Sequence, residues 1–211
     1  MNSELYAYDE RIGSWIARDF EHGEGFEHGL NCIVDPDVVV GDDVILGHNV
    51  HLKSGTRVLD DVEIADHCQT TGICIIGNHV RIRTGSCISK SVIINDWVFI
   101  AAGIMSSHTK NIYHGRPKME KRQFVTCIGY GAIIGSRTNL IAGITVAPGA
   151  IIGYNSNVLK DPDVSHGIYF GHPTRFVSCI EEDDPWYIEV PDDYEPYQFD
   201  EEMLKKYLPF Y

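Results

Sequence analysis

The sequence predicts an all-β protein whose chain winds into a stacked parallel β-helix, and three observations carry that prediction. Apolar residues recur at every sixth position, as Val34, Val40, Leu46, Leu52, Val58, Ile64, Thr70, Ile76, Ile82, Ile88, Ile94 and Ile100, with Thr70 the one polar member. A companion row four residues further on holds Val38, Val44, Val50, Thr56, Val62, Cys68, Cys74, Val80, Ser86, Val92, Val98 and Ile104. The same register resumes as Ile128, Ile134, Leu140, Val146, Ile152 and Val158. A period of six fits neither the 3.6-residue turn of an α-helix nor the alternation of a single long strand. It marks short strands stacked as repeats, each burying its core against its neighbours.

The elements follow in chain order within a single domain over 1–211. Residues 1–30 are expected to cap the first coil, because an open β-helix exposes apolar side chains and unpaired edges. Ile12, Trp15, Ile16 and Phe20 stand at helical spacing, which predicts a short amphipathic helix within 9–20. Coils are expected over 31–106 and 123–175. The spacing from Ile100 to Ile128 is not a multiple of six, so a loop over 107–122 must leave the repeat. In the acidic tail, 176–211, the Pro- and Tyr-rich stretch 183–199 is expected to run extended along a neighbouring subunit. Asp200, Glu201 and Glu202 ahead of Lys205 and Lys206, with Pro209 beyond, predict a short capped helix.

Charge narrows the partners. The net charge is −13, and residues 181–211 alone account for −9. Such a tail repels a phosphate-rich polymer, and no arginine-rich face offsets it, which argues against nucleic acid. The loop is opposite in sign: Lys110, Arg116, Lys118, Lys121 and Arg122 against Glu120 give +4, suited to a phosphorylated or nucleotide-linked small molecule. No apolar run is long enough to span a membrane, and the opening MNSELYAYDER lacks the layout of a secretory signal, so the expected compartment is the cytoplasm. Six cysteines without a C-x-x-C pair, two of them in the repeat rows, predict reduced core thiols.

From Ile128 onward the run IGYGAIIGSRTNLIAGITVAPGAIIGYNSNVLKD, followed by GHPTR, carries repeated Ile-Gly pairs, the Ala142-Gly143 turn, the Lys160-Asp161 pair and the closing Gly171, Pro173, Arg175. These motifs resemble the hexapeptide-repeat acetyltransferases, in the branch that acylates sugar hydroxyls or amines. The resemblance implies a left-handed parallel β-helix with a protruding loop, three hexads per coil, and residues 18 apart stacked about 4.8 Å apart. It also implies a homotrimer, acetyl-CoA as cosubstrate with no metal, and a sugar or nucleotide-linked sugar as acceptor. Ser136, Tyr154 and Leu159 match positions along the coenzyme's arm. Lys160 and Arg175 match residues that approach its phosphates, a task suited to a point charge and a planar fork. A solvated lysine and an ion pair with the acidic tail are the plainer readings of those two.

His108, just after the last hexad before the loop, matches a general-base histidine. Imidazole suits that task because its unperturbed pKa is about 6.5. His114 in the loop and His79 in a coil are the competing candidates. Lys90 and Ser89, 18 residues before His108 and Ser107, are expected to stack one coil below. Arg83 is expected to point outward and, with Lys90, to hold an acceptor phosphate or carboxylate. The expected chemistry is direct attack by the acceptor in a ternary complex, with backbone N–H groups near Gly135 and Ser136 on the oxyanion. Cys87 and Cys127 lack an activating partner in sequence, which disfavours a covalent route. Two alternatives stand beside this: a zinc enzyme resembling γ-class carbonic anhydrase, and a noncatalytic β-helix scaffold.

Overall fold

A computed structural model describes residues 4–211; residues 1–3 of the expected cap lie outside it. Mostly two- and three-residue strands joined by corners build three sheets of nine, nine and seven strands, parallel except for one antiparallel strand at an end of each nine-stranded sheet, a β-solenoid of triangular section. The first face stacks the strands ending at Val34, Leu52, Thr70, Ile88, Ser106, Leu140 and Val158. The second carries Val40, Val58, Ile76, Ile94, Ile128 and Val146, and the third Leu46, Ile64, Ile82, Ile100, Ile134 and Ile152. Paired residues are 18 apart, as in Glu63 with Arg81 and Cys87 with Met105.

Both sequence rows form the core. Val34, Leu52, Ile76, Ile82, Ile94 and Ile134 are buried, as are the companions Val44, Val80, Val92 and Ile104. Thr70 is tolerated there because its hydroxyl pairs with Thr56 Oγ1 at 2.8 Å and accepts Lys53 N–H at 2.9 Å. At the corners Asp43, Asn49, Asp61 and Asn155 adopt the left-handed conformation, which Asn and Asp accept more readily than other residues bearing a Cβ. One corner adds a side-chain ladder: the N–H groups of Glu24, Asp42, Asp60 and Asn78 donate to Asp42, Asp60, Asn78 and Asp96 at 2.6–3.0 Å.

The N-terminus departs from the expected helix. Tyr6–Asp9 and Ser14–Ala17 form an antiparallel hairpin, and Ser14–Ala17 pairs in parallel with Ile33–Val34. The solenoid therefore begins at Ser14, inside the segment expected to cap it. Gly13, at φ +70°, closes the turn, with its N–H donating to the Asp9 carbonyl at 2.8 Å. The helical spacing misleads because a turn interrupts it: Ile16 and Phe20 reach the core while Trp15 stacks on Tyr8. A strand satisfies the open sheet edge with main-chain hydrogen bonds, which a helix laid on that edge cannot supply.

At the other end Gly167–Gly171 continues the third face and pairs antiparallel with Thr174–Cys179. The tail then returns along its own solenoid. Helix α1, Glu201–Tyr207, forms as expected, with the Asp200 carboxylate accepting Met203 N–H at 2.7 Å. Phe199, Met203 and Leu208 cover Ile73, Ile75 and Ile93 on the second face. Cys74–Ile76 and Val92–Ile94 are buried at all three positions for that reason: their inner residues face the core and their middle residues face the tail. Tyr194 and Tyr197 hydrogen-bond Asn95 and Asp96, closing the corner ladder.

Candidate functional site

The loop leaves the solenoid at the edge between the first and second faces. Across the break pairing jumps to 34 residues, Ile100 with Ile134 and Met105 with Asn139, while the coils above and below remain in register. The returning chain closes against the departing one, since Phe124 N–H donates to the His108 carbonyl at 3.1 Å. Ser107 Oγ accepts Ala142 N–H from the coil above at 3.0 Å.

His108 is half-buried on this edge, and its Nδ1 lies 2.8 Å from Ser89 Oγ. Nε2 has no hydrogen-bond partner among the described residues. Burial lowers the imidazole pKa below its usual value, and the Lys90 charge lowers it further. Both influences favour the neutral ring. In the tautomer whose Nδ1–H donates to Ser89 Oγ, Nε2 presents a lone pair. Burial also lowers the Lys90 pKa, and the Lys90 main-chain N–H is held by Thr71 Oγ1 at 2.9 Å. Ser89 and Lys90 thus stack beneath His108.

The competing histidines sit elsewhere. His79 stacks on Trp97 and bonds Asp61 at 2.7 Å, and His114 is exposed, its carbonyl accepting from Arg116. Among the described residues no three His, Cys, Asp or Glu side chains group as a metal site.

Within one chain Arg83 does not join Lys90. It lies at the edge between the third and first faces, exposed, with Nη1 2.6 Å from Glu63 Oε1. Seven residues separate it from Lys90, one face plus a corner, so the two cations point from different edges.

The residues matched to the coenzyme divide in the same way. Leu159 and Lys160 stand on the His108 edge, and Leu159 and Ser107 line one depression of about 210 Å³ on the first face. Ser136 and Tyr154 stand one above the other on the opposite edge, where Asn155 N–H donates to the Ser136 carbonyl at 2.7 Å. The hairpin carrying Arg175 packs beside them, with Phe170 over Gly153 and Gly171 N–H on Ser156 Oγ. Lys160 and Arg175 are exposed without an ion pair among the described residues, so Arg175 is not held by the tail. Five residues from Ser136 to Ile141 span about 16 Å at roughly 3.3 Å each, the width of the first face. Gly135 N–H is engaged by the Ile152 carbonyl at 2.7 Å, so it does not serve as an oxyanion donor.

Gln123, Phe124 and Tyr211 meet at the returning end of the loop, although no sequence motif marks them. The basic residues there signal only a charge in the sequence. Lys110 and Arg122 both lie over the Phe124 ring, 4.8 and 5.0 Å from its centroid.

No family model matches the chain, and no curated protein sequence does. Solved structures do resemble it. A mutant of AntD, an N-acyltransferase from Bacillus cereus, in complex with dTDP and coenzyme A is 14% identical, with a TM-score of 0.48 over 86% of this chain and 93% of that one. The polySia-specific acetyltransferase NeuO is 16% identical, with a TM-score of 0.45 over 89% and 97% of the two chains. The hexapeptide-repeat acetyltransferase VCA0836 from Vibrio cholerae is 20% identical, with a TM-score of 0.41 over 76% and 73%. At these scores the likenesses carry no argument about activity, and the architecture is read from the strand ladder itself.

Proposed function

We propose that the chain is an acetyl-CoA-dependent acyltransferase that transfers an acetyl group to a hydroxyl or amine of a sugar or nucleotide-linked sugar. The observation that carries this reading is His108: half-buried, its Nδ1 held by Ser89 Oγ, its neutral form favoured by burial and Lys90, and unpartnered at Nε2 among the described residues. That arrangement suits a group that takes a proton from an attacking hydroxyl or amine. The coenzyme would supply the activated acyl group as a thioester. Lys160 and Arg175, exposed and without ion pairs, fit its phosphates, and the depression beside Leu159 and Ser107 fits an apolar arm.

His108 and Ser136 occupy opposite edges of one face, so a cleft that uses both needs the complementary edge of a second copy. A closed three-fold assembly supplies it. We therefore include a homotrimer in the proposal. Among the described residues no helix is long and apolar enough to cross a membrane, and the six free thiols agree with the cytoplasm as the place of action.

The test is thiol release from acetyl-CoA by the purified protein with nucleotide-linked amino sugars and simple hexosides as acceptors. Acceptor-dependent release that falls about a hundred- to ten-thousandfold in His108→Ala supports the reading. Release equal in wild type and variant removes His108 from the chemistry.

A further inference from the structure

Lys90 is half-buried one coil beneath His108, and its ammonium has neither an ion pair nor a hydrogen bond among the described residues. Its place is fixed on two sides. The main-chain N–H donates to Thr71 Oγ1 at 2.9 Å, and the aliphatic stem lies along Gly72, where a Cβ would stand 3.0 Å from Lys90 Cβ and 3.6 Å from Cδ. Residue 72 has φ +149°, which favours glycine and keeps that seat free of a side chain. A partly desolvated cation without a counter-ion is costly, so its position calls for an anion from outside the chain. The same charge lowers the pKa of the imidazole above it and so weakens that ring as a base. A site that needed only a base gains nothing from such a neighbour. Main-chain donors, meanwhile, are spent: Ala142 and Gly143 N–H, in the coil above on this edge, donate to Ser107 Oγ at 3.0 Å and Thr126 Oγ1 at 2.9 Å, and Gly135 N–H is engaged as described.

We propose that the Lys90 ammonium is the oxyanion donor of the acetyl transfer, a catalytic residue and not an anchor for an anionic group of the acceptor. This deepens the proposed function and rests on it. His108 Nε2 takes the proton of the acceptor hydroxyl or amine as the acceptor atom bonds to the thioester carbonyl carbon, and the carbonyl π pair moves onto oxygen. Lys90 donates an N–H to that oxygen. When the pair returns, the carbon–sulfur bond breaks, and the departing thiolate takes the proton from the imidazolium. Acetylated acceptor and free thiol are the products. The reach suffices: an oxygen on the attacked carbon lies within roughly 5 Å of the ring, and Lys90 stands one coil, about 4.8 Å, below.

The test is steady-state kinetics of full-length Lys90→Met and Lys90→Arg on the pH plateau, with the His108 imidazole titration followed by NMR. Lys90→Met keeps the length of the stem. It is expected to lower kcat about a hundred- to a thousandfold, the range for a lost oxyanion donor, with KM for acceptor and acetyl-CoA within about twofold. Lys90→Arg should restore part of that loss. The sign is diagnostic, because removing the charge makes His108 a stronger base, so an influence exerted through His108 alone leaves kcat unchanged or raises it. A raised acceptor KM at unchanged kcat makes Lys90 an anchor for an acceptor anion and overturns the proposal, as do unchanged kinetics. The NMR titration stands apart from turnover: the imidazole pKa should rise in Lys90→Met, and a pKa that does not move shows that the ammonium is not beside the ring, which also overturns it. Wild-type protein that transfers no acetyl group removes the proposed function itself. Transfer that survives in Lys90→Met removes only the role of Lys90.

Discussion

His108 shows how a solenoid edge tunes a side chain. Burial opposes the charged imidazole, and Lys90 beneath it adds repulsion, so both influences act in the same direction. Under the proposed function the acidic limb of kcat/KM should fall below pH 6.5, with activity level through neutrality. Lys90→Ala should move that limb upward by less than the full distance to 6.5, because burial is the larger cause. A limb at or above 6.5 in the wild type would mean that another group governs it. The same ring affects stability with the opposite sense to an ion-paired histidine. Its folded pKa is lowered, so the unfolded chain binds its proton first and stability declines as pH drops through 6.5.

The cations separate by the same kind of local reasoning. Lys160→Ala and Arg175→Ala are each expected to weaken CoA about five- to a hundredfold, the range for a charge-assisted hydrogen bond. Arg83→Ala should leave both CoA and acceptor affinity nearly unchanged, because Glu63 already engages that guanidinium. Titration calorimetry on the three variants checks this, and a large loss in Arg83→Ala alone would reverse the assignment.

At the scale of elements, the tail is a strap whose apolar anchors cover a sheet face. Phe199→Ala removes a ring packed against the face of Ile73, Ile75 and Ile93 and should cost about 3 kcal/mol in chemical denaturation. Asp200→Ala, which removes the cap of α1, should cost about 1 kcal/mol. If Phe199→Ala proved as stable as wild type, the strap would contribute little to the fold. The two ends also differ in legibility. Helix α1 is readable because its cap, charge order and terminal proline all lie within ten residues. The hairpin over Tyr6–Ala17 is not, because its stability comes from pairing with Ile33–Val34, and no local pattern reports a waiting edge.

For the whole molecule, the division of the matched residues between two edges makes a specific prediction about assembly. Sedimentation at micromolar concentration should give a trimer. Mixing two inactive forms, His108→Ala and a Ser136→Trp variant that blocks the opposite edge, should restore about a quarter of wild-type activity after random reassembly, since some clefts then join two intact edges. No restoration in proven mixed trimers would place all the working residues within one chain.

The solenoid and its register are legible in the chain alone, because the period of six is local and repeats often enough for each coil to corroborate the next. So are the inward-facing residues, the position of the break, and the stacking of Ser89 and Lys90 beneath His108, all of which follow from counting by eighteen. The edge that each outward residue occupies follows from the same count. Arg83 and Lys90 are seven residues apart in sequence yet point from different edges, whereas His108 and Lys160 are 52 apart yet share one. Only folding lays the tail over Ile75 and Ile93 and buries Gln123 where the loop rejoins the solenoid, its main-chain N–H donating to the Phe210 carbonyl, neither of which leaves a mark in the sequence. One cause underlies these cases. Core positions answer to a single axis and so leave a periodic trace, whereas a surface site is made by segments brought together through folding, whose meeting no local pattern encodes.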